Sequence, residues 1–458
     1  MKLGFILSFT LSLLIGCNTS VTNKPIYFGG QIKNPKNSEI SLYKKDKKIA
    51  TAKLDFDNNF MFSLDSLQNG LYQFKHGEEF QYIYLEQNDS ILIRLNTWDF
   101  DGSLVFSGKG ANRNQFLLQL FLENEQEGRN FFTYFKLNET DFLSKVDSLT
   151  NLKKRQHQQF QENSKQSKKF NNLISAIIDF PIFANKEKYP LHHQKIHQLK
   201  KLPQLSSSFY AHREMVKTNF NSYNDYYTYN NYLWNKIYNT SNYLLEKDSL
   251  KTISYILLNQ ISALVENVPL KNTMLYQTYI NSLLSSCTKE HKKATKQLFY
   301  KNCTDTIKKK AVSDLLKIIH TFKKETKLPE FYLHTTQGKI VSSIKIITDK
   351  TVFYFWPKEK NRIQNMAKRV LFLINKYPEI QFIGIDGQLE NNTWKTSINQ
   401  YKLKETKQFQ LAQQNKNLFY TNDFPRAIIM DKGIVRNNFT FISQQNFEDL
   451  LRKHLINL

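Results

Sequence analysis

The chain is 458 residues long, carries 64 Lys and Arg against 40 Asp and Glu, has a formal net charge of +24 and is 40% hydrophobic. At about 100–200 residues per domain, this length predicts two or three domains with real cores. Lys is spread along the chain rather than gathered into one block, which assigns most of the charge to solvated faces. Attraction to anionic lipid headgroups or glycans is the functional alternative.

The first element is Met1 to Cys17. One charge, Lys2, precedes an apolar run from Leu3 to Ile15, which closes on Leu14-Ile15-Gly16-Cys17. A basic start, a short apolar core and small residues at the cut make a secretory signal. The run is shorter than the about 20 apolar residues of a membrane span, and no second run is long enough. A cysteine directly behind Leu-x-Gly resembles the lipobox of bacterial lipoproteins. That resemblance implies cleavage before Cys17 and acylation of its thiol and new amino group. The expected partner is then the membrane, through an N-terminal lipid. The expected location is the cell envelope, at the outer membrane facing the periplasm. An ordinary secreted protein with a chance cysteine is the alternative. Export in either form removes nucleic acid as the partner that so basic a chain would otherwise suggest.

Residues 18–24 read as a polar tether. Residues 25–110 then alternate with period two in short runs: Ser38–Tyr43, Ile49–Leu54, Asn59–Leu64, Leu71–Lys75, Gln81–Glu86, Ser90–Leu95 and Ser103–Phe106. Turn formers such as Asn69-Gly70, His76-Gly77 and Asp101-Gly102 separate them. Short strands at this spacing predict an all-β sandwich or barrel. The module resembles the small β-domain behind the lipobox of envelope lipoproteins that carry a thioredoxin-like domain.

From residue 111 to 325 the period is helical. Phe116, Leu117, Leu120 and Phe121 form a stripe behind Asn112, read as an N-cap, and Phe142, Val146, Leu149 and Leu152 form another behind Asn138. Ile174–Phe183, Ile253–Val265, Leu275–Leu284 and Val312–Phe322 continue the pattern, interrupted by Pro181, Pro190, Pro203 and Pro269. This predicts an α-helical middle region.

Residues 326–458 change period again. Thr351–Trp356 is a continuous apolar run, as a buried parallel strand requires. A helix marked by Ile363, Met366, Val370 and Leu373 follows, then a strand at Ile380–Asp386 and a helix at Trp394–Tyr401. A hairpin pairs Arg426–Met430 with Ile434–Thr440 across Asp431-Lys432-Gly433, and a helix from Gln445 to about Ile456 closes the chain. The order predicts a three-layer α/β domain. The whole chain is therefore expected to be multidomain: signal and lipobox at 1–17, a β-sandwich-like module at 25–110, a helical region at 111–325 and an α/β domain at 326–458.

The last segment resembles the thioredoxin superfamily, in particular its membrane-tethered TlpA-type and peroxiredoxin-like (AhpC/TSA) branch. The resemblance rests on Leu328-Pro329-Glu330-Phe331-Tyr332-Leu333 with Gly338-Lys339, on Val352-Phe353-Tyr354-Phe355-Trp356, on Ile380–Asp386 and on Phe424-Pro425 through Val435, in the family's order and spacing. It implies a thioredoxin-like fold and a Cys-x-x-Cys at the start of the helix after Trp356. Here that segment reads Trp356-Pro357-Lys358-Glu359-Lys360-Asn361-Arg362-Ile363, so Lys360 and Ile363 stand in the cysteine slots. Exchange needs an attacking thiolate, and no cysteine follows Cys303. The site is read as degenerate and redox-inactive.

The resemblance further implies a cis-proline element at Phe424-Pro425, whose backbone would pair with an extended peptide as an added strand. Trp356 and Phe424 would line its floor, with core packing as the competing reading. Lys358, Lys360 and Arg362 would favour an acidic partner. Cys287 and Cys303 could form a disulfide in an exported protein, but Thr288–Asn302 reads as helix, and a bridge then needs a turn near Thr288–His291. His193 and His197 have the i, i+4 spacing of a metal pair, without a carboxylate beside them, and a solvated loop is the alternative. The run Tyr223, Tyr226, Tyr227, Tyr229, Tyr232 and Tyr238 could stack on sugar rings or form a core. No phosphate loop, paired-carboxylate signature or nucleophile elbow occurs, so no cofactor and no metal is expected. The functional expectation is a non-catalytic binding or scaffolding lipoprotein acting on peptides or envelope proteins. An envelope thiol–disulfide oxidoreductase and an accessory glycan- or nutrient-binding lipoprotein are the rivals.

Overall fold

The computed structural model describes residues 25–456 apart from 46, 66, 218–225, 249, 285–287, 358–359, 388–392, 402, 405–406, 416–426 and 445. The chain divides into two compact units, with the boundary between Tyr243 and Leu244. The helical stretch is therefore shared between the units, rather than forming one of its own.

In the first unit, eight strands make two four-stranded sheets. Strands β1 (Ile26–Lys33), β4 (Asn59–Leu64), β7 (Ser90–Asn96) and β8 (Val105–Lys109) form one in the order β4-β1-β7-β8. Strands β2 (Glu39–Lys44), β3 (Lys47–Lys53), β5 (Gly70–His76) and β6 (Glu79–Leu85) form the other in the order β3-β2-β5-β6. Alternate residues point between the sheets. Phe28 of β1 joins them, stacking on Phe62 with centroids 5.8 Å apart and reaching Phe74 of β5 at 5.5 Å. Strand β1 is absent from the sequence reading because Gly29 and Gly30 break its apolar alternation. Gly30 has φ 146°, and a Cβ there would lie 2.0 Å from the Ile93 carbonyl oxygen of the parallel neighbour β7.

Helix α1 (Ala111–Tyr134) starts behind Gly110, which is left-handed at φ 99°, with no side-chain cap. Asn112 is thus not the N-cap; a tight strand-to-helix turn sets the start instead. Asn114 does the joining: its Nδ2 donates to the Tyr84 carbonyl at 2.9 Å and its Oδ1 accepts the Tyr84 N–H at 2.7 Å. A buried amide thus covers the open edge of β6, a place that otherwise invites foreign strands. Helix α2 (Glu139–Asn163) is capped by Asn138 as expected, through the Asp141 N–H at 3.0 Å.

Helix α3 (Lys168–Ile196) runs through both Pro181 and Pro190, which therefore do not interrupt it. Pro181 has no N–H for the Ile177 carbonyl. The Asn124 side chain of α1 supplies the missing donor at 3.1 Å. α4 (His212–Lys217) and α5 (Tyr227–Lys247) follow. At their junction with α3, the fully buried Glu187 accepts from Arg213 Nε and Nη2 at 2.7 and 2.6 Å and from Asn239 at 2.7 Å, and pairs with His212 at 3.0 Å. Burial alone would raise its pKa, but the hydrogen bonds from Arg213 and His212 outweigh burial and hold it down at about 2.

The second unit holds α6 (Ile253–Leu264), α7 (Val268–Leu284), α8 (Lys289–Asn302) and α9 (Thr306–Thr321), then the α/β domain. That domain comprises β9 (Tyr332–Thr335), β10 (Ile340–Ser342), α10 (Ser343–Ile346), β11 (Lys350–Phe355), α11 (Lys360–Lys376), β12 (Gln381–Asp386), α12 (Thr393–Gln400), β13 (Gln408–Leu411), β14 (Ala427–Asp431), β15 (Ile434–Thr440) and α13 (Phe447–Leu451). Its sheet order is β10-β9-β13-β12-β11-β14-β15. Strands β13, β12 and β11 run parallel, while β14 and β15 return antiparallel. This is an α/β domain built on a mixed seven-stranded sheet, with a β-rich N-terminal module and a helical middle before it. Val352, Tyr354 and Trp356 face α11 and α13; Phe353 and Phe355 face the other side, where Phe322, Leu328 and Phe331 pack. Burial on both faces is why β11 reads as an unbroken apolar run. Lys432 (φ 49°) and Gly433 (φ 73°) make the two-residue left-handed turn of the last hairpin. The final helix is shorter than expected, since α13 passes into a π-helical turn at Arg452–Ile456.

Arg213→Ala should destabilise the protein by about 3 kcal/mol, because it strands a buried carboxylate. Urea unfolding followed by circular dichroism measures this, and an unchanged midpoint would contradict the role given to Glu187. Burial also lowers the pKa of His212. Both groups bind more protons unfolded than folded, so stability falls with pH below about 6.5 and more steeply below about 4.5.

Candidate functional site

The segment that the sequence resemblance marks as a site lies at the carboxyl end of β11 and the start of α11. The Trp356 N–H continues the ladder to the Ile385 carbonyl at 3.0 Å, so its ring is aimed by the sheet itself. The indole is only 5% exposed. Its Nε1 donates to Gln408 Oε1 at 3.1 Å, and the Tyr354 hydroxyl donates to the same oxygen at 3.0 Å. Gln408 lies on β13 and is buried. Complete burial raises the Tyr354 pKa well above the ordinary phenol range, which keeps its hydroxyl a donor.

These groups converge over Gly384 of β12. A Cβ on Gly384 would stand 2.1 Å from Gln408 Oε1, 2.7 Å from the Tyr354 hydroxyl and 2.8 Å from Trp356 Nε1. The backbone therefore has to be bare for the three polar tips to meet. Trp356 is committed to the interior and is not the exposed wall of a peptide groove; the core reading holds. Ile363, in the second cysteine slot, is 3% exposed and packs in the same core as Trp356, Met366 and Val370. Pro357 is buried, and Lys360 opens α11. Trp356, Pro357 and Ile363 are thus brought together, as an inner seam rather than a surface.

Phe424 and Pro425 lie outside the described residues, as do Cys17 and Cys287. Cys303 is a buried free thiol among the described residues. Helix α8 occupies Lys289–Asn302 behind the N-cap Thr288, leaving no turn of the kind a bridge would need. Burial raises the Cys303 pKa, the opposite of an activated thiol.

His192 and His193 lie on α3, and His197 is its C-cap. His193 Nδ1 meets the Phe135 carbonyl at 2.9 Å and His197 Nε2 the Lys136 carbonyl at 3.0 Å, while His192 stacks on Phe135 at 4.6 Å. They close the carboxyl end of α1, where helix carbonyls lack partners. Among the described residues no group of His, Cys, Asp and Glu could hold a metal ion. Tyr229 and Tyr232 are fully buried beside Phe180, at 5.1 and 5.7 Å, so that part of the tyrosine run is core.

Gly384, Gln408 and the buried Asp386, 3.5 Å from Gln410 Nε2, are site residues that the sequence reading missed. Their signal was faint. Gln408-Phe409-Gln410-Leu411 alternates over only four residues, and a lone Gly in a strand is the mark of close approach.

The chain matches no protein-family profile and no curated protein. Among solved structures it is similar to a thiol:disulfide interchange protein from Bacteroides sp., at 15% identity over 30% of this chain and 93% of that one, with a TM-score of 0.26. A domain of a possible thiol-disulfide isomerase from Cytophaga hutchinsonii is similar at 15% identity over 29% of this chain and 92% of that one, with a TM-score of 0.24. A thioredoxin-like protein from Bacteroides caccae is similar at 14% identity over 59% of this chain and 93% of that one, with a TM-score of 0.27. These are distant likenesses.

Gly384→Ala should cost about 2–3 kcal/mol, by forcing apart hydrogen bonds that cannot be remade in the core. Thermal unfolding and tryptophan fluorescence check this: a lower midpoint with red-shifted emission is expected, and wild-type values for both would remove the importance assigned to the Gln408 contact.

Proposed function

We propose that this chain is a lipid-anchored protein of the bacterial cell envelope whose thioredoxin-like domain binds or scaffolds and does not exchange disulfides. The observation that carries the reading is Ile363. The position where the fold needs a second cysteine is filled by a buried aliphatic side chain packed against the β11–α11 core. Thiol–disulfide exchange proceeds through a mixed disulfide that a neighbouring thiol must resolve, and neither slot holds sulfur. The first slot supports the same reading, because a protonated amine at Lys360 is no nucleophile toward a disulfide.

What the segment offers instead is charge. By sequence, Lys360 and Arg362 fall in the first turn of α11, which has no acidic residue. An extended peptide or envelope protein presenting a carboxylate is the partner this favours. The anchor rests on Leu14-Ile15-Gly16-Cys17, which ends the signal-like run.

The full chain should reduce insulin in the presence of dithiothreitol no faster than dithiothreitol alone. A rate comparable with an ordinary thioredoxin would overturn the reading. Metabolic labelling with a fatty-acid analogue should mark the wild type and leave Cys17→Ser unmarked; equal labelling of both would remove the lipid anchor.

A further inference from the structure

The two most exposed aromatic side chains of the β-module stand on neighbouring turns at one end of the sandwich. Phe56 is 107% exposed and Trp98 82% exposed. Both turns are tied to the last residues of β1, one on each side. On the β4 side, the Ile32 N–H donates to the Asn58 carbonyl at 3.0 Å and Gln31 Nε2 donates to the Asp57 carbonyl at 3.1 Å. On the β7 side, the Thr97 N–H donates to the Lys33 carbonyl at 3.2 Å and Asn34 Nδ2 donates to Asn96 Oδ1 at 3.0 Å. With β1 between β4 and β7, the turns are spaced by about two strand separations, roughly 10 Å.

The backbone of both turns is fixed. Asp55 Oδ1 accepts the N–H groups of Asp57 and Asn59 at 2.9 and 2.8 Å, which fixes the Phe56 turn. Asn96 Oδ1 accepts the Trp98 N–H at 3.2 Å, and Asp99 Oδ1 accepts that of Gly102 at 3.2 Å. The Trp98 loop can reach the core, since it sends Phe100 inward to stack on Phe74 at 6.1 Å. Trp98, two residues earlier, is held in water. Rigid turns that present aromatic faces carry little ordering cost on binding.

The surrounding charge narrows the ligand. In a chain of net charge +24, residues 55–58 and 96–102 contain Asp55, Asp57, Asp99 and Asp101 and no Lys or Arg. The four carboxylates outweigh the exposed Lys33 between the turns and disfavour phosphate, sulfate and anionic headgroups. They are good acceptors for hydroxyl donors, and the Asp57 carboxylate makes no hydrogen bond among the described residues. Aromatic faces that pack on C–H surfaces, beside acceptors for O–H groups, fit a polyhydroxylated, uncharged chain. We infer that this end of the β-sandwich binds a neutral glycan, with Phe56 and Trp98 stacking on sugar rings and Asp57 accepting from hydroxyls. The inference uses neither the thioredoxin-like domain nor the lipid anchor, so it stands or falls apart from the proposed function.

The test is native affinity electrophoresis of the full chain through gels containing laminarin, soluble starch, xylan or galactomannan. At least one polysaccharide should retard the wild type. Trp98→Ala and Phe56→Ala should each raise the apparent Kd about tenfold, the scale of one lost aromatic contact, with circular dichroism unchanged because both side chains lie outside the core. Migration unaffected by all four polysaccharides would overturn the inference. So would equal retardation of wild type and the double variant. Trp98-dependent binding to phosphatidylglycerol vesicles without any polysaccharide retardation would overturn it too, by making this end a membrane contact.

Discussion

One amide oxygen organises the C-terminal unit. Gln408 Oε1 accepts from both Tyr354 and Trp356, two side chains of β11 that would otherwise bury unpaired donors. Each such donor left alone costs about 1–3 kcal/mol. The contact also joins β11 to β13 across the bare backbone of Gly384. The inward placement of Trp356 follows from keeping that oxygen between its two donors. The carboxyl edge of an open α/β sheet is ordinarily where ligands meet the fold; here its centre is closed by its own side chains.

How far the sequence could foresee this depended on the length of each signal. β11 and β12 are buried on both faces, so their runs are continuous and plain to read. β13 has four residues and two glutamines, and β9 and β10 are as short, so period-two alternation had nothing to act on. β1 was hidden by glycines that the close parallel neighbour β7 demands. The proline positions misled for a related reason. A proline ends a helix when its orphaned carbonyl has no other donor, and the donor for Ile177 is Asn124, more than 50 residues away along the chain. Such a partner belongs to tertiary structure and leaves no local trace. The histidine spacing was read correctly, but it served the end of α1 instead of a metal.

The candidate site divides in the same way. That sulfur is missing from both slots was legible at once, because composition alone decides it. That Ile363 would be drawn into the core could be read from its place in the Ile363, Met366, Val370 stripe. The orientation of Trp356 could not, since its choice between a surface floor and the interior depended on Gln408, 52 residues further on.

A reactive thiol limits how tightly a site can pack. A nucleophilic cysteine needs partial exposure and a positive environment, so an active thioredoxin-type site cannot pack its helix start tightly. At the start of α11 this chain has Lys360 and Ile363 instead, and Ile363 packs inward with Trp356, Met366 and Val370. Its burial at the junction stabilises the domain. In the β-module, by contrast, Phe56 and Trp98 are far more exposed than Trp356 or Ile363. A single exposed aromatic needs no explanation; it is the pairing of two on adjoining turns that makes this end of the sandwich a binding candidate.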